Sequence, residues 1–121
     1  MKPKARTPEP YLPLTPAMFH MLVALADGEK HGYAIMKEVE QRTARSVSLS
    51  AGTLYGIIKR LLADGIIEES HRRPAAALDD ERRRYYRLTA FGRDVAVAEA
   101  ERLEQALELA RAKKLVGPET A

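Results

Sequence analysis

Ser50, Gly52, Thr53, Gly56, Lys59 and Arg60 lie within the stretch "LSAGTLYGIIKRLLADGIIEES", and together they describe a surface suited to an anion. Leu54, Ile57, Ile58, Leu61 and Leu62 recur at helical spacing and give the segment one buried face. The opposite face carries Gly52, Gly56, Lys59 and Ala63, with Tyr55 and Arg60 on its flanks, and is nearly bare. Glycine costs about 1 kcal/mol relative to alanine inside a helix, so two on one exposed stripe imply that something approaches the backbone closely. The hydroxyls of Ser50 and Thr53 stand beside the helix N-terminus, where backbone N–H groups already favour phosphate. Lys59 and Arg60 follow further along, better placed for phosphate than for base edges.

Other chemistries lack their residues. The 121-residue chain has no cysteine, which removes thiol catalysis, disulfides and zinc–thiolate sites. His20, His31 and His71 are too dispersed for a metal site. The one acidic cluster, Asp79 to Glu81, lies among arginines, where salt bridging is its natural use. No nucleophile–base pair, carboxylate pair or phosphate-cradling loop is present, so neither an enzyme nor a cofactor is expected. No apolar run approaches the length of a membrane span, and a soluble cytoplasmic protein is the expectation.

Charge is placed rather than spread. Between Ser70 and Arg87 stand Arg72, Arg73, Arg82, Arg83, Arg84 and Arg87 against Asp79, Asp80 and Glu81, an excess equal to the +3 of the whole chain. Lys2, Lys4 and Arg6 add a second basic patch at the N-terminus.

The elements that must position these residues can be read in order. Residues 1–13 contain Pro3, Pro8, Pro10 and Pro13 and read as a mobile basic arm. A first helix has Thr15 as N-cap, Pro16 at its first position and Gly28 as its stop. Its core face is read as Met18, Phe19, Leu22, Val23, Leu25 and Ala26. A second helix spans "HGYAIMKEVEQRT" with Tyr33, Met36 and Val39 in register, and "RSVSL" is a short extended piece. Ser50 caps the third helix. Ile66 to Ser70 and Arg83 to Leu88 read as paired strands, and a long helix capped by Thr89 runs to Gly117-Pro118. This order is that of a mainly α winged helix-turn-helix with a two-stranded wing and a long C-terminal helix. The domain plan is an arm over 1–13, a DNA-binding unit over 14–88, a dimerisation helix over 89–116 and a tail over 117–121. In such a unit the third helix enters the major groove and the wing arginines reach the DNA backbone or a neighbouring minor groove.

The segments "HGYAIMKEVEQRT", "LSAGTLYGIIKRLLADGIIE" and "RRRYYRLTAFGR" resemble successive motifs of the PadR family of bacterial transcriptional regulators, over about Leu14 to Arg93. The resemblance implies a winged-helix repressor that binds an inverted-repeat operator in duplex DNA as a homodimer, with one C-terminal dimerisation helix. The family's Gly-Thr-Leu-Tyr element falls on Gly52, Thr53, Leu54 and Tyr55, and its Lys-Arg pair on Lys59 and Arg60. Ala51 stands where many members have proline. Some members bind drugs or pigments in a pore lined by tryptophan. This chain has none, and a small-molecule effector is expected only in the general sense that the family uses them.

Several positions have two readings. Tyr33 reads first as packing, with DNA contact as the alternative, and Tyr55 divides between core edge and phosphate contact. Gly56 either faces DNA or permits close helix packing, and at least one of Tyr85 and Tyr86 belongs to the core. A winged helix used only for protein contact, or a MarR-like regulator, are the competing assignments. In the long helix Phe91, Val95, Ala98, Leu103, Leu107 and Ala110 continue one apolar face, read as the dimer interface. The alternative is that this helix folds back over its own domain.

Overall fold

The computed structural model describes residues 6–70 and 84–117. Four helices and three short strands follow in the order α1 (Pro16–Leu25), β1 (Lys30–His31), α2 (Gly32–Arg42), α3 (Ala51–Ala63), β2 (Ile67–Glu69), β3 (Tyr85–Leu88) and α4 (Ala90–Ala112). The helix starts are set by local chemistry. Thr15, Ser50 and Thr89 each accept a hydrogen bond from the backbone N–H three residues on, as N-cap hydroxyls do. His31 caps α2 in the same manner, its ring Nδ1 accepting from Ala34 N–H at 3.1 Å.

The helix ends differ in how they meet a left-handed position. After α3, Gly65 takes φ +70, and Ile66 N–H reaches back to Leu61 C=O at 3.0 Å. After α2 the same geometry falls on Ala44, φ 49, followed by Arg45 at φ 67, with Arg45 N–H donating to Glu40 C=O at 2.8 Å. Residues with a Cβ lose about 1–2 kcal/mol in that region. Thr43 offsets this by stitching the turn, its hydroxyl meeting Val39 C=O and both the N–H and C=O of Val47.

The sheet is antiparallel in the order β1-β3-β2, with Lys30 opposite Tyr86 and Ile67 opposite Leu88. It therefore has three strands where two were expected. A two-residue strand such as β1 has no periodicity to read and exists only because β3 offers it a partner. Tyr86 is buried and Tyr85 half-buried, in keeping with at least one of them being core.

The core gathers Met21, Leu22 and Leu25 of α1, Ile35 and Val39 of α2, Leu54, Ile58 and Leu61 of α3, Ile66, Ile67, Tyr86 and Val95. Val23 and Ala26, expected to face it, are exposed, and Met21 and Ala24 take their place. The sequence of α1 is apolar on nearly every side, so its pattern does not single out one face. Gly92 lets α4 meet the chain entering β2 directly, since a Cβ there would stand 1.8 Å from Ile66 carbonyl oxygen.

The stretch read as a mobile arm is packed from Arg6 onward. Residues Glu9–Tyr11 form a 3-10 turn, and the Tyr11 ring meets Phe91 edge-on at 5.4 Å. The Arg6 guanidinium lies 4.0 Å from the Phe91 ring centre and donates at 2.6 Å to the C=O of Asp64, the residue that follows α3. Further along, Glu99 of α4, only 1% exposed, accepts from Leu14 N–H at 2.9 Å and from the Arg102 guanidinium. The proline content signalled the absence of a helix, and says nothing of whether aromatic and charged residues tie the segment down.

The bond from Arg102, aided by Leu14 N–H, holds the Glu99 carboxyl below its ordinary range despite burial, which pushes the other way. A carboxyl whose pKa is lower folded than unfolded stabilises the fold above its unfolded value and loses that contribution as pH falls through the folded one. Glu99→Gln is therefore expected to destabilise by about 1–2 kcal/mol at neutral pH, and by progressively less in acid below the ordinary carboxylate range. Thermal midpoints of the two proteins across pH check this: a gap that persists unchanged in acid would contradict it.

Candidate nucleic-acid interface

The helix-turn-helix pair α2–α3 presents the stripe that the sequence singled out. At its N-terminal end Ser50 Oγ accepts from Thr53 N–H at 3.1 Å and donates to Thr53 Oγ1 at 3.0 Å. The Ser50 hydroxyl is thus occupied with the cap. Thr53 accepts that bond and keeps its own hydroxyl hydrogen for an external acceptor, so of the two expected donors Thr53 is the one left free.

Gly52 and Gly56 are exposed, and a Cβ built on either would meet nothing within 4 Å. Close helix packing is therefore not the reason for Gly56. Neither glycine is demanded by the fold, and the space above them belongs to solvent or to a ligand. Lys59 and Arg60 are exposed on the next turn and have no partner among the described residues.

Tyr55 and Tyr33 resolve differently. Tyr55 is half-buried, its ring against Gly32, where an added Cβ would stand 3.0 Å from the phenol oxygen. It fastens the start of α2 to the flank of the bare stripe, with its outer edge still reachable. Tyr33 is 53% exposed rather than packed. Its ring stacks on His31 at 6.5 Å and carries Lys37 Nζ 5.5 Å from its centre.

Arg72, Arg73, Arg82 and Arg83 lie outside the described residues. At the stem of the hairpin, Arg84 pairs with Glu69 at 3.5 Å and Arg87 with Glu68 at 2.9 Å across β2 and β3. Among the described residues both stem arginines are thus paired with glutamates, whereas Lys59 and Arg60 on α3 are not. Sequence reasoning passed over Gly32 and Lys37. The usable signal was the separation of four between Tyr33 and Lys37, which puts them on one helix face.

The face of α4 read as an interface divides in two. Val95 is wholly buried in its own domain and so is not available to a partner, and Phe91 is half-buried against Tyr11 and Arg6. Their spacing was right for burial, but the covering group is intramolecular. Ala98 and Ala110 are half-buried, while Leu103 and Leu107 are 41% and 39% exposed. Every residue from Ala100 to Leu109 is exposed. A groove between α1 and this outer half is lined by Phe19, Leu103, Leu107, Glu104 and Arg111 among others. The alternative of α4 folding back thus holds for its first half alone. Among the described residues no cluster of ligands could hold a metal ion, and no helix is long and apolar enough to cross a membrane.

Comparison with known proteins agrees with this geometry. The model of the Transcriptional regulator PadR-like family matches residues 21–98. The transcriptional regulator Rv3488 of Mycobacterium tuberculosis is 37% identical over 92 residues, 76% of this chain and 77% of that protein. A PadR family transcription regulator from Clostridium difficile superposes with a TM-score of 0.67 at 23% identity, over 81% of this chain and 97% of that one. Bacillus subtilis PadR, solved in complex with operator DNA, gives 0.59 at 22% identity, over 75% of this chain and 47% of that one. At those identities the two structures speak for the fold.

Proposed function

Because the chain belongs to the PadR-like family of transcriptional regulators, and is no enzyme, we propose that it is a cytoplasmic repressor that binds an inverted-repeat operator in duplex DNA as a two-fold homodimer. The observation that carries this reading is the open stripe at Gly52 and Gly56, which the protein itself leaves unfilled. An α3 inserted N-terminus first would bring its backbone against the groove there, with the Thr53 hydroxyl and Lys59 and Arg60 on phosphates. The operator-bound relative of the same fold supports the choice of DNA as ligand. A dimer would read two half-sites about one helical turn apart, or a multiple of it, and would repress by excluding other proteins from that site.

Two substitutions at one position test it. Gly56→Ala should stabilise the fold by up to about 1 kcal/mol, because the site is open and helical. Gly56→Leu should leave the fold intact and weaken operator binding at least a hundredfold, because the side chain occupies the space the groove needs. Sites selected from random duplexes provide the operator, and titration at several salt concentrations should show the steep decline of phosphate-driven binding. A folded Gly56→Leu protein with undiminished operator affinity would take this face off the DNA. Absence of binding to any duplex at low salt would favour a winged helix used for protein contact.

A further inference from the structure

We propose that the segment from Arg6 to Leu14 is a strap that fixes the angle between α3 and α4, with Arg6 and Tyr11 as positioning residues that set which half-site spacing the protein accepts. The proposal rests on the reading of a two-fold dimer on an inverted repeat. It adds the element that holds the two α3 helices of that dimer at one separation.

The strap is anchored on both helices. Arg6 donates at 2.6 Å to the C=O of Asp64, just past α3, and at 2.5 Å to the Tyr11 hydroxyl. A Cβ on Gly65 would stand 3.0 Å from the same guanidinium, so the turn that closes α3 lies directly against it. That guanidinium also covers the Phe91 ring, in the first turn of α4, while Tyr11 meets the ring edge-on. The other end of the strap lies about two turns further along α4, where Leu14 N–H donates to the buried Glu99 carboxylate. Beyond Glu99, α4 is exposed from Ala100 to Leu109. The second anchor therefore sits where α4 leaves its own domain.

Small rotations at this place have large effects at a distance. α4 bears on its domain at Gly92, where the backbones of the two segments meet, and Leu107 lies 15 residues further on. At 1.5 Å per residue that is about 22 Å, over which a tilt of about 10° displaces the helix by about 4 Å. Doubled across a two-fold axis, such a tilt changes the distance between the two α3 helices by up to about two base-pair steps. Apolar contact at Gly92 and Val95 is non-directional and opposes a tilt of this kind weakly. A guanidinium on a carbonyl and a carboxylate on an N–H have fixed directions. The buried Glu99 fits the same use, since a well-packed apolar side chain would seat the helix as well, and what the carboxylate adds is a bond of set geometry.

Operators carrying two selected half-sites are made with the selected spacer and with spacers one base pair shorter and longer. Full-length wild type and Arg6→Ala/Tyr11→Ala are titrated on each and on a random duplex, across a range of salt, and are sedimented without DNA. Wild type should prefer the selected spacer by roughly tenfold or more. The variant should remain folded and dimeric and bind the random duplex with wild-type affinity and salt slope, while its preference among spacers falls to about threefold or less. Arg6→Ala alone removes one exposed side chain, leaves the core untouched, and should relax the preference in the same direction. A folded Arg6→Ala protein with the wild-type preference overturns the strap. Equal weakening on every duplex with a flatter salt slope would make Arg6 a phosphate ligand instead, and a monomeric variant would make the segment part of the dimer seat; either overturns it as well. Wild type that binds no duplex removes the regulator reading itself, and wild type indifferent to spacing removes the two-fold operator, and the strap's role falls with either.

Discussion

Gly92→Ala is expected to cost the fold about 3 kcal/mol or more and to lower the thermal midpoint by on the order of 10 °C or more. The new Cβ would lie 1.8 Å from the Ile66 carbonyl oxygen and 2.8 Å from its carbon, both backbone atoms. That carbonyl cannot easily retreat. It accepts from Thr89 N–H at 3.2 Å and from the Thr89 hydroxyl at 3.1 Å. Ile66 N–H is in turn tied to Leu61, in the last turn of α3. One added methyl group would therefore force apart α4, the end of α3 and the sheet at their common joint. Circular dichroism on heating measures the loss. A Gly92→Ala protein with the wild-type midpoint would show that this joint gives way cheaply, and the contrast with a stabilised Gly56→Ala protein would disappear.

Leu107→Glu should convert a dimer to monomers and weaken operator binding at least a hundredfold, with the winged domain still folded. Leu103 and Leu107 stand on the half of α4 that its own domain leaves open, and a two-fold partner would bury both. The substitution places a carboxylate in that apolar contact opposite its own copy across the axis, where neither charge finds a partner. Operator affinity should follow assembly, because each protomer alone holds only one half-site. Val95 is not a usable alternative target, since it is core and charging it would unfold the protein. Sedimentation read together with circular dichroism decides the matter. A folded Leu107→Glu protein that stays dimeric, or a wild type that is monomeric at micromolar concentration, removes this assembly.

What was legible in the sequence is what short-range chemistry determines. Thr15, Ser50 and Thr89 act as caps because a hydroxyl beside a helix start needs only its own next turn. The bare stripe of α3 could be read because its apolar opposite face is unambiguous. Features that depend on distant partners were not legible. Val95 and Leu107 read as one stripe in the sequence, but its step of five from Ala98 to Leu103 turns the outer half round the helix, and one meets its own core while the other meets solvent. Glu99, four residues beyond Val95, interrupts the apolar face, and only Leu14 and Arg102 explain why a carboxylate is buried there. Ala44 offered no glycine to mark the left-handed end of α2. Tyr33 looked like core because aromatic residues usually are, while Ile35 supplies the burial.

The strand order has a consequence for the order in which the molecule can be completed. β3 is the central strand, and both β1 and β2 pair only with it. Synthesis delivers the N-terminal parts first, so Lys30 and His31 wait for Tyr85 and Tyr86 while all of α2 and α3 has already been made. Until then no strand has a neighbour, Ile66 has no α4 to seat against, and Glu99 is not yet there to hold Leu14. Pairings so far apart along the chain form slowly compared with contacts inside a helix pair. A chain halted before Tyr85 would carry the whole helix-turn-helix and none of the sheet. The helix pair is made first and braced last.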